Sequence, residues 1–332
     1  MTRVYIVRHA EAEGNLYRRI HGWYDSRVTQ TGLRQLEILK DRFKNVKIDA
    51  VYSSDLLRAR LTAEAVAYGS GVPVIPTARL REVNMGVWED RTWGEVLTNQ
   101  REQYTYFYSR PDKWNVPGCE PFGELQDRLE NAVIDLAAVN DGKTIALVTH
   151  GCAIRSLMAR IRGVAAENIF EVPYCDNTGI SLLEVTGRRI EIISHNDSAH
   201  IPDDLTRFRR QKWRKSRDGF DNSNLWFSRD GDTYSAIHFT SAAGILTLDP
   251  KRGGEDKTGY IAYYLLDPDY RGLGMSVQLL GQAVSAYRDM SRDRIVVELE
   301  NNPELSGYFR HYGFTALDPH TMTLDISLDQ TL

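Results

Sequence analysis

The sequence predicts a three-layer α/β/α sandwich on a mainly parallel sheet, followed by a smaller α+β domain. Three observations carry this. Short apolar runs alternate with amphipathic helical stretches through roughly the first 200 residues, the pattern of a parallel sheet covered on both faces. Beyond residue 222, strand-like runs follow one another without intervening helices, as in an antiparallel sheet. The chain has 332 residues, more than one hydrophobic core usually serves. Domains are expected at 1–202 and 222–332, joined by a basic linker at 203–221.

Apolar residues make up 42% and charged residues 26%, as in soluble globular proteins. A formal net charge of -4 argues against a broad nucleic-acid surface. No apolar run approaches the ~20 residues of a membrane helix. The sequence opens directly into a strand rather than a secretory leader, so a cytoplasmic location is expected. Cys119, Cys152 and Cys175 lack paired metal-type spacing and read as free thiols in a reducing compartment.

Residues 4–7 form the first buried strand. Thr29 or Thr31 caps a helix whose apolar face is Leu33, Leu36, Leu39 and Phe43. Residues 49–52 read as a second strand, Ser53 and Ser54 as caps, and 55–68 as the helix they open. A short strand near 72–75 follows. Thr92 and Glu95 have capping-box spacing, which starts a helix near Trp93. That stretch is rich in aromatics, among them Tyr104, Phe107, Tyr108 and Trp114. It reads either as a satellite core or as the wall of a ligand pocket. A helix at 122–139 turns Leu125, Leu129 and Val133 inward. Residues 144–148 are a third strand, delivering Thr149-His150-Gly151 into a helix that Gly163 stops. Residues 180–185 and 189–194 read as a hairpin.

Three strand exits therefore carry Arg8-His9, Ser53-Ser54 with Arg58 in the following helical turn, and His150. The carboxyl ends of parallel strands converge on one crevice. Arginine offers a planar fork of donors suited to phosphate or carboxylate, and a neutral imidazole can act as nucleophile or base. The start of a helix adds unpaired amides and a positive end.

These motifs, in this order, resemble the histidine phosphatase (phosphoglycerate-mutase-like) superfamily. The match covers about residues 1–202. It runs through Arg8-His9-Ala10-Glu11 with Asn15, and through Gly22, Asp25, Thr29, Gly32 and Gln35. It continues with Ser53-Ser54-Asp55-Leu56 and Arg58-Ala59, Glu82 ahead of Trp88-Glu89, and Thr149-His150-Gly151. Asp90 stands where glycine is usual. The resemblance implies that His9 attacks phosphorus while Arg8, Arg58 and His150 bind the phosphoryl oxygens, with Asn15 as a further donor. It implies that Glu82 protonates the leaving oxygen and then activates water, with no metal and no cofactor. The segment between Glu82 and His150 is shorter than in the mutases and lacks their Arg-Arg segment, so a phosphatase acting on a small phosphorylated metabolite is expected; phosphoglycerate mutase activity is the alternative. His21 reads as a surface histidine near the entrance, and His195 and His200 as packing in the tail of the domain.

Residues 203–221 crowd seven arginines and lysines between Arg207 and Arg217 without an apolar face, and read as a solvated linker helix. Strands are then expected at 233–240, 244–248, 259–266 and 295–299, with closing strands near Thr315 and 322–326. The turn Arg271-Gly272-Leu273-Gly274-Met275-Ser276 opens a helix with the face Val277, Leu280, Val284 and Tyr287, and Asn302-Pro303 opens another. A Gly-rich turn at a helix start presents amides and a positive end to a pyrophosphate. Residues 222–332 are similar to GNAT-type N-acetyltransferases. That resemblance implies acetyl-CoA on the backbone of Arg271, Gly272, Leu273, Gly274, Met275 and Ser276, Asn302 as a further contact, and an unidentified amine as acceptor. Phe309 stands where many members carry a tyrosine acid, and this favours a rival reading as an acyl-CoA sensor or interaction module. Glu298 and Glu300 read as ordinary strand carboxylates.

Overall fold

The computed structural model describes residues 1–206, 225–270, 274, 276–299 and 305–331. The first sheet has the strand order β3-β2-β4-β1-β5-β6. Its strands are β1 (Thr2–Arg8), β2 (Ala50–Ser53), β3 (Val74–Pro76), β4 (Thr144–Thr149), β5 (Ile180–Thr186) and β6 (Arg189–Asp197). β1 to β4 pair in parallel, and the β5–β6 hairpin adds antiparallel to β1. This is the mainly parallel sheet expected.

The central strands are buried on both faces. Ile145 and Leu147 of β4 join one core with Leu125, Leu129 and Val133 of α6 (Phe122–Ala138) and Ile154 and Leu157 of α7 (Gly151–Arg162). Ala146 and Val148, pointing the other way, join Leu36, Leu39 and Phe43 of α2 (Gln30–Phe43) and Leu61 of α3 (Leu57–Ala67). A fully buried Val, Ile or Leu contributes about 1.5–3 kcal/mol. The continuous apolar run of β4 is therefore what holds the three layers together, and with them the exits of β1 and β4.

Several local expectations hold. Thr29 Oγ1 accepts from Gly32 N at the start of α2. Thr92 and Glu95 form the capping box of α4 (Trp93–Asn99). Gly163 closes α7 in the left-handed conformation with φ +67°. Ser53 and Ser54 do not cap α3, contrary to expectation. Asp25, from a distant loop, takes that place instead, its two carboxyl oxygens accepting from Leu57 N at 3.0 and 3.1 Å. Two helices had no clear sequence signal: α1 (Glu13–Leu16), a single turn, and α5 (Arg101–Ser109), which has no fully buried residue.

The second sheet runs β12-β13-β11-β10-β9-β8-β7. Its strands are β7 (Leu225–Asp230), β8 (Thr233–His238), β9 (Ser241–Asp249), β10 (Thr258–Leu266), β11 (Arg294–Glu298), β12 (Thr315–Ala316) and β13 (Thr321–Asp325). Among the described residues only β10 and β11 of this sheet pair in parallel, at residues 258–261 and 294–297. α8 (Ser276–Asp289) and α9 (Leu305–His311) pack on it. The predicted face Val277, Leu280, Val284 and Tyr287 is buried in this core. Almost all of the basic linker, at 207–221, lies outside the described residues, as do Arg271, Gly272, Leu273, Met275, Glu300 and Asn302.

The two halves share an interior. Tyr17, two residues after Asn15, is 1% exposed and belongs to the core of the second sheet, its hydroxyl donating to Tyr312 O at 2.7 Å. The polar face of α8 lies against the first domain: Gln278 Oε1 accepts from Gly94 N, and Gln282 Nε2 donates to Thr92 Oγ1. At the far end, Gln330 brackets Val28, accepting from its N–H and donating to its carbonyl.

Candidate active site

β2, β4 and β1 are adjacent and parallel, so their carboxyl ends open at one sheet edge. His9 follows β1 and His150 follows β4, and their ring centroids lie 5.1 Å apart. His9 Nδ1 is 2.7 Å from Ala10 O. A carbonyl only accepts, so Nδ1 carries the proton and Nε2 keeps the lone pair of a nucleophile.

Arg8 Nη1 donates to Cys175 O at 2.6 Å. Gly151 leaves room for the same guanidinium: a Cβ there would meet Arg8 Nε at 3.1 Å. Arg58, in the first turn of α3, is fully buried and donates to the carbonyls of His21, Gly22 and Tyr24. Among the described residues, Nε of Arg8, Nε of Arg58 and both ring nitrogens of His150 are buried without a hydrogen-bond partner. Leaving a buried donor unmade costs about 1–3 kcal/mol. Several such donors around one imidazole fit a site built for an anion with several oxygens. Burial, reinforced by Arg58, His9 and Arg8, holds the His150 pKa well below the usual histidine range, so His150 is neutral at pH 7.

Asn15 is oriented from beneath. Its Oδ1 accepts from Ala12 N at 3.2 Å and from Asn177 Nδ2 at 3.1 Å, and Asn177 also donates to His9 O at 3.0 Å. The Asn15 amide donor is thereby turned toward His21 Nε2, 3.2 Å away. Sequence reasoning missed Asn177, which lies in the loop ahead of β5 with no motif to mark it.

Glu82 follows the 3-10 turn Ala78–Leu80 and reaches the start of α7. Its carboxylate accepts from Cys152 N at 2.9 Å and Ala153 N at 2.7 Å, and from Val83 N at 3.0 Å. Burial raises its pKa against these bonds and Arg58. A carboxyl that holds its proton more tightly than usual suits a proton donor to a leaving oxygen.

These groups border a cavity. Arg8, Asn15, His21, Glu82 and Gly151 line its polar side, and Trp93, Phe107, Tyr108 and Tyr174 its aromatic side. His9, Arg58 and His150 are not among its wall residues and are buried behind them. His21 is thus no surface histidine: Ser26 Oγ and Asn15 fix both ring nitrogens, and its ring stands edge-on to His9 at 5.7 Å. The aromatic stretch serves as both core and wall, with Trp88 and Trp114 buried in the core behind Trp93 and Phe107. Arg19 also lines the cavity, ion-paired with Asp90. Asp90 has φ +63°, a left-handed backbone that glycine adopts without strain and Asp tolerates. His195 Nδ1 meets Ser181 Oγ at 3.1 Å and packs the tail, as expected. The three cysteines are free.

In the second domain, Gly274 has φ +74°, and its carbonyl accepts from Gln278 Nε2 and from Arg18 Nη1. Ser276 begins α8 and is buried. Phe309 is fully buried between Tyr264 and Phe314, while Tyr308 bonds Tyr264 through their hydroxyls. Glu298 pairs with Arg252 at the surface, an ordinary strand carboxylate.

Residues 4–198 match the model of the histidine phosphatase superfamily (branch 1), and residues 198–314 that of the acetyltransferase (GNAT) family. The curated protein named "Probable phosphoglycerate mutase GpmB" of Yersinia pestis is 31% identical over 207 residues, covering 60% of this chain and 95% of its own. Among solved structures, YhfR of Bacillus stearothermophilus is similar with TM-score 0.59 at 31% identity, over 61% of this chain and 100% of that one. Phosphoserine phosphatase of Entamoeba histolytica, solved with 3-phosphoglyceric acid, gives TM-score 0.54 at 26% identity, over 61% and 100% of the two chains. The chain therefore belongs to the histidine phosphatase superfamily and carries a GNAT-family acetyltransferase domain after it.

Proposed function

We propose that residues 1–202 hydrolyse a small phosphate monoester through a phosphohistidine, without a metal or cofactor. The observation that carries this is the His9 ring, fixed by Ala10 O, among the buried donors of Arg8, Arg58 and His150. In this reading, His9 Nε2 forms the bond to phosphorus as the ester P–O bond breaks, and Glu82 gives its proton to the departing alcohol. Water then attacks the phosphohistidine, Glu82 takes back a proton, and phosphate leaves. The arginines and His150 stabilise charge on the equatorial oxygens, and Asn15 adds a donor.

Hydrolysis is favoured over mutase chemistry by the cavity wall. Beyond the phosphate end, its further cation is Arg19, already neutralised by Asp90, and most of the rest is aromatic or aliphatic. The test is a phosphate-release screen over metabolite esters with chelator present and His9→Ala as control. Hydrolysis absent in His9→Ala and indifferent to chelator supports the reading; a mutase rate on phosphoglycerates exceeding hydrolysis overturns it.

For residues 222–332, beyond the linker at 203–221, the reading is an acyl-CoA-dependent N-acyltransferase with an amine acceptor. β10 leaves β11 after Ile261 and continues to Leu266 paired with β9 alone, and a cleft lined by Tyr263, Tyr264, Val297 and Leu299 lies there. Backbone groups released from a ladder in this way fit an extended amide-bearing ligand such as acetyl-CoA. The backbone of Gly274 and Ser276, with that of Arg271, Gly272, Leu273 and Met275, would hold its pyrophosphate, and Asn302 would add a further contact. Phe309, sealed in the core, supports the rival reading of a domain that binds without turnover. Acetyl-CoA calorimetry beside CoA release with a panel of amines separates the two. A cytoplasmic location fits both activities; among the described residues no helix is long and apolar enough to cross a membrane.

A further inference from the structure

Residues 13–20 are held from two sides. Their inner side supplies Gly14, Asn15, Arg19 and Ile20 to the phosphate cavity. Their outer side lies against α8 of the second domain. Arg288 Nη2 donates to Glu13 Oε2 at 2.8 Å, and the two side chains are only 8% and 6% exposed. One turn earlier, Ser285 Oγ donates to Asp90 Oδ2 at 2.5 Å. The other oxygen of Asp90 pairs with Arg19 in the cavity wall. One turn before Ser285, Gly281 brings the helix backbone so close that a Cβ there would meet Arg19 Cγ and Cδ at 3.0 Å.

We propose that Ser285 and Arg288 are positioning residues for the phosphatase cavity, so that the second domain completes the first domain's site. The proposal rests on the phosphatase reading given above. Two relays run from α8 to the substrate. In one, Ser285 fixes the Asp90 carboxylate, and Asp90 fixes the long, rotamer-rich side chain of Arg19. In the other, Arg288 fixes Glu13, the first residue of α1, and with it Gly14 and Asn15. A buried carboxylate deprived of its cation moves toward other partners or water, because an isolated charge is poorly tolerated inside a protein. Both relays end on groups that line the cavity: Arg19 in one, Gly14 and Asn15 in the other. Neither ends on the reacting groups: His9 and His150 follow β1 and β4, and Glu82 is bonded to the start of α7. The expected signature is therefore a rise in KM with kcat nearly kept.

The test uses the full-length chain with p-nitrophenyl phosphate as substrate and orthovanadate binding by calorimetry as a readout independent of turnover. Ser285→Ala and Arg288→Met should each raise KM and the vanadate Kd on the order of 10-fold, and Arg288→Lys should recover part of the loss. Gln330→Ala cuts the interdomain bonds to Val28, which bridges Ala12 rather than a residue lining the cavity, and should move both values less than Ser285→Ala or Arg288→Met does. Unchanged KM and Kd in folded Ser285→Ala and Arg288→Met overturn the proposal, as does an equal effect of Gln330→Ala. Should Arg288→Met fail to fold, Ser285→Ala and Arg288→Lys decide. A wild type that binds vanadate but releases no more phosphate than His9→Ala refutes the hydrolysis reading, while the vanadate series still judges Ser285 and Arg288. A wild type that does neither refutes both.

Discussion

The Nδ1 of His9 stands 2.7 Å from the carbonyl oxygen of Ala10, the residue that follows it in the chain. This bond selects one tautomer, so in the proposed reaction the phosphoryl group would form on Nε2 alone. Phosphorus NMR of an acid-labile, base-stable adduct trapped from a phosphate ester should show the Nε2 isomer alone. An Nδ1 adduct would mean that the ring turns over during reaction.

Glu82 has its pKa raised by burial from an ordinary value of 4.5. As a proton donor it is active while protonated, so kcat for poor leaving groups should fall as pH rises through its folded pKa. Glu82→Gln should remove that limb and cost about 10²–10⁴-fold on alkyl phosphates. The loss should be much smaller on p-nitrophenyl phosphate, whose leaving group needs little protonation. Equal losses on both substrates would make Glu82 only a cap for α7.

His150 has its pKa lowered from 6.5 by burial first and by neighbouring positive charge second. The unfolded chain thus binds a proton that the folded state resists. The stability that follows is fully present above the unfolded value and is lost as pH falls below about 6.5 toward the folded pKa. Tm measured against pH should fall more steeply on acidification in the wild type than in His150→Asn. Parallel curves would show that His150 titrates the same way folded and unfolded.

Gly151 sits at the first position of α7, where helix propensity favours alanine by up to about 1 kcal/mol. Its missing Cβ is nevertheless what lets the Arg8 guanidinium lie flat against the helix start. Gly151→Ala should keep or raise Tm while weakening orthovanadate binding. Loss of stability without loss of binding would show that Arg8 is not displaced.

Much of the first domain was legible because its signals are local. The β4 run is apolar at nearly every position, Thr92 and Glu95 carry a cap in their spacing, and Gly163 marks a helix end. His9, Arg58 and His150 were legible because each stands just beyond a strand. Asn177, Arg19 and the cap that Asp25 gives α3 were not, since each acts across a long stretch of chain and owes its role to tertiary placement. Asp90 was visible as a departure from glycine, but its meaning was not. Its strained backbone persists beside an ion pair to Arg19 and a hydrogen bond from Ser285, a partner 195 residues away.

Tyr17 puts the ring of one domain into the interior of the other. Apolar surface that a self-sufficient phosphatase would have to cover or discard is here left to a neighbour. Ending the chain near residue 202 would bare the Tyr17 ring and strand the Glu13 charge together. Denaturation should then be a single cooperative event for the whole polypeptide, and inheritance of the fusion a matter of folding as well as of chemistry.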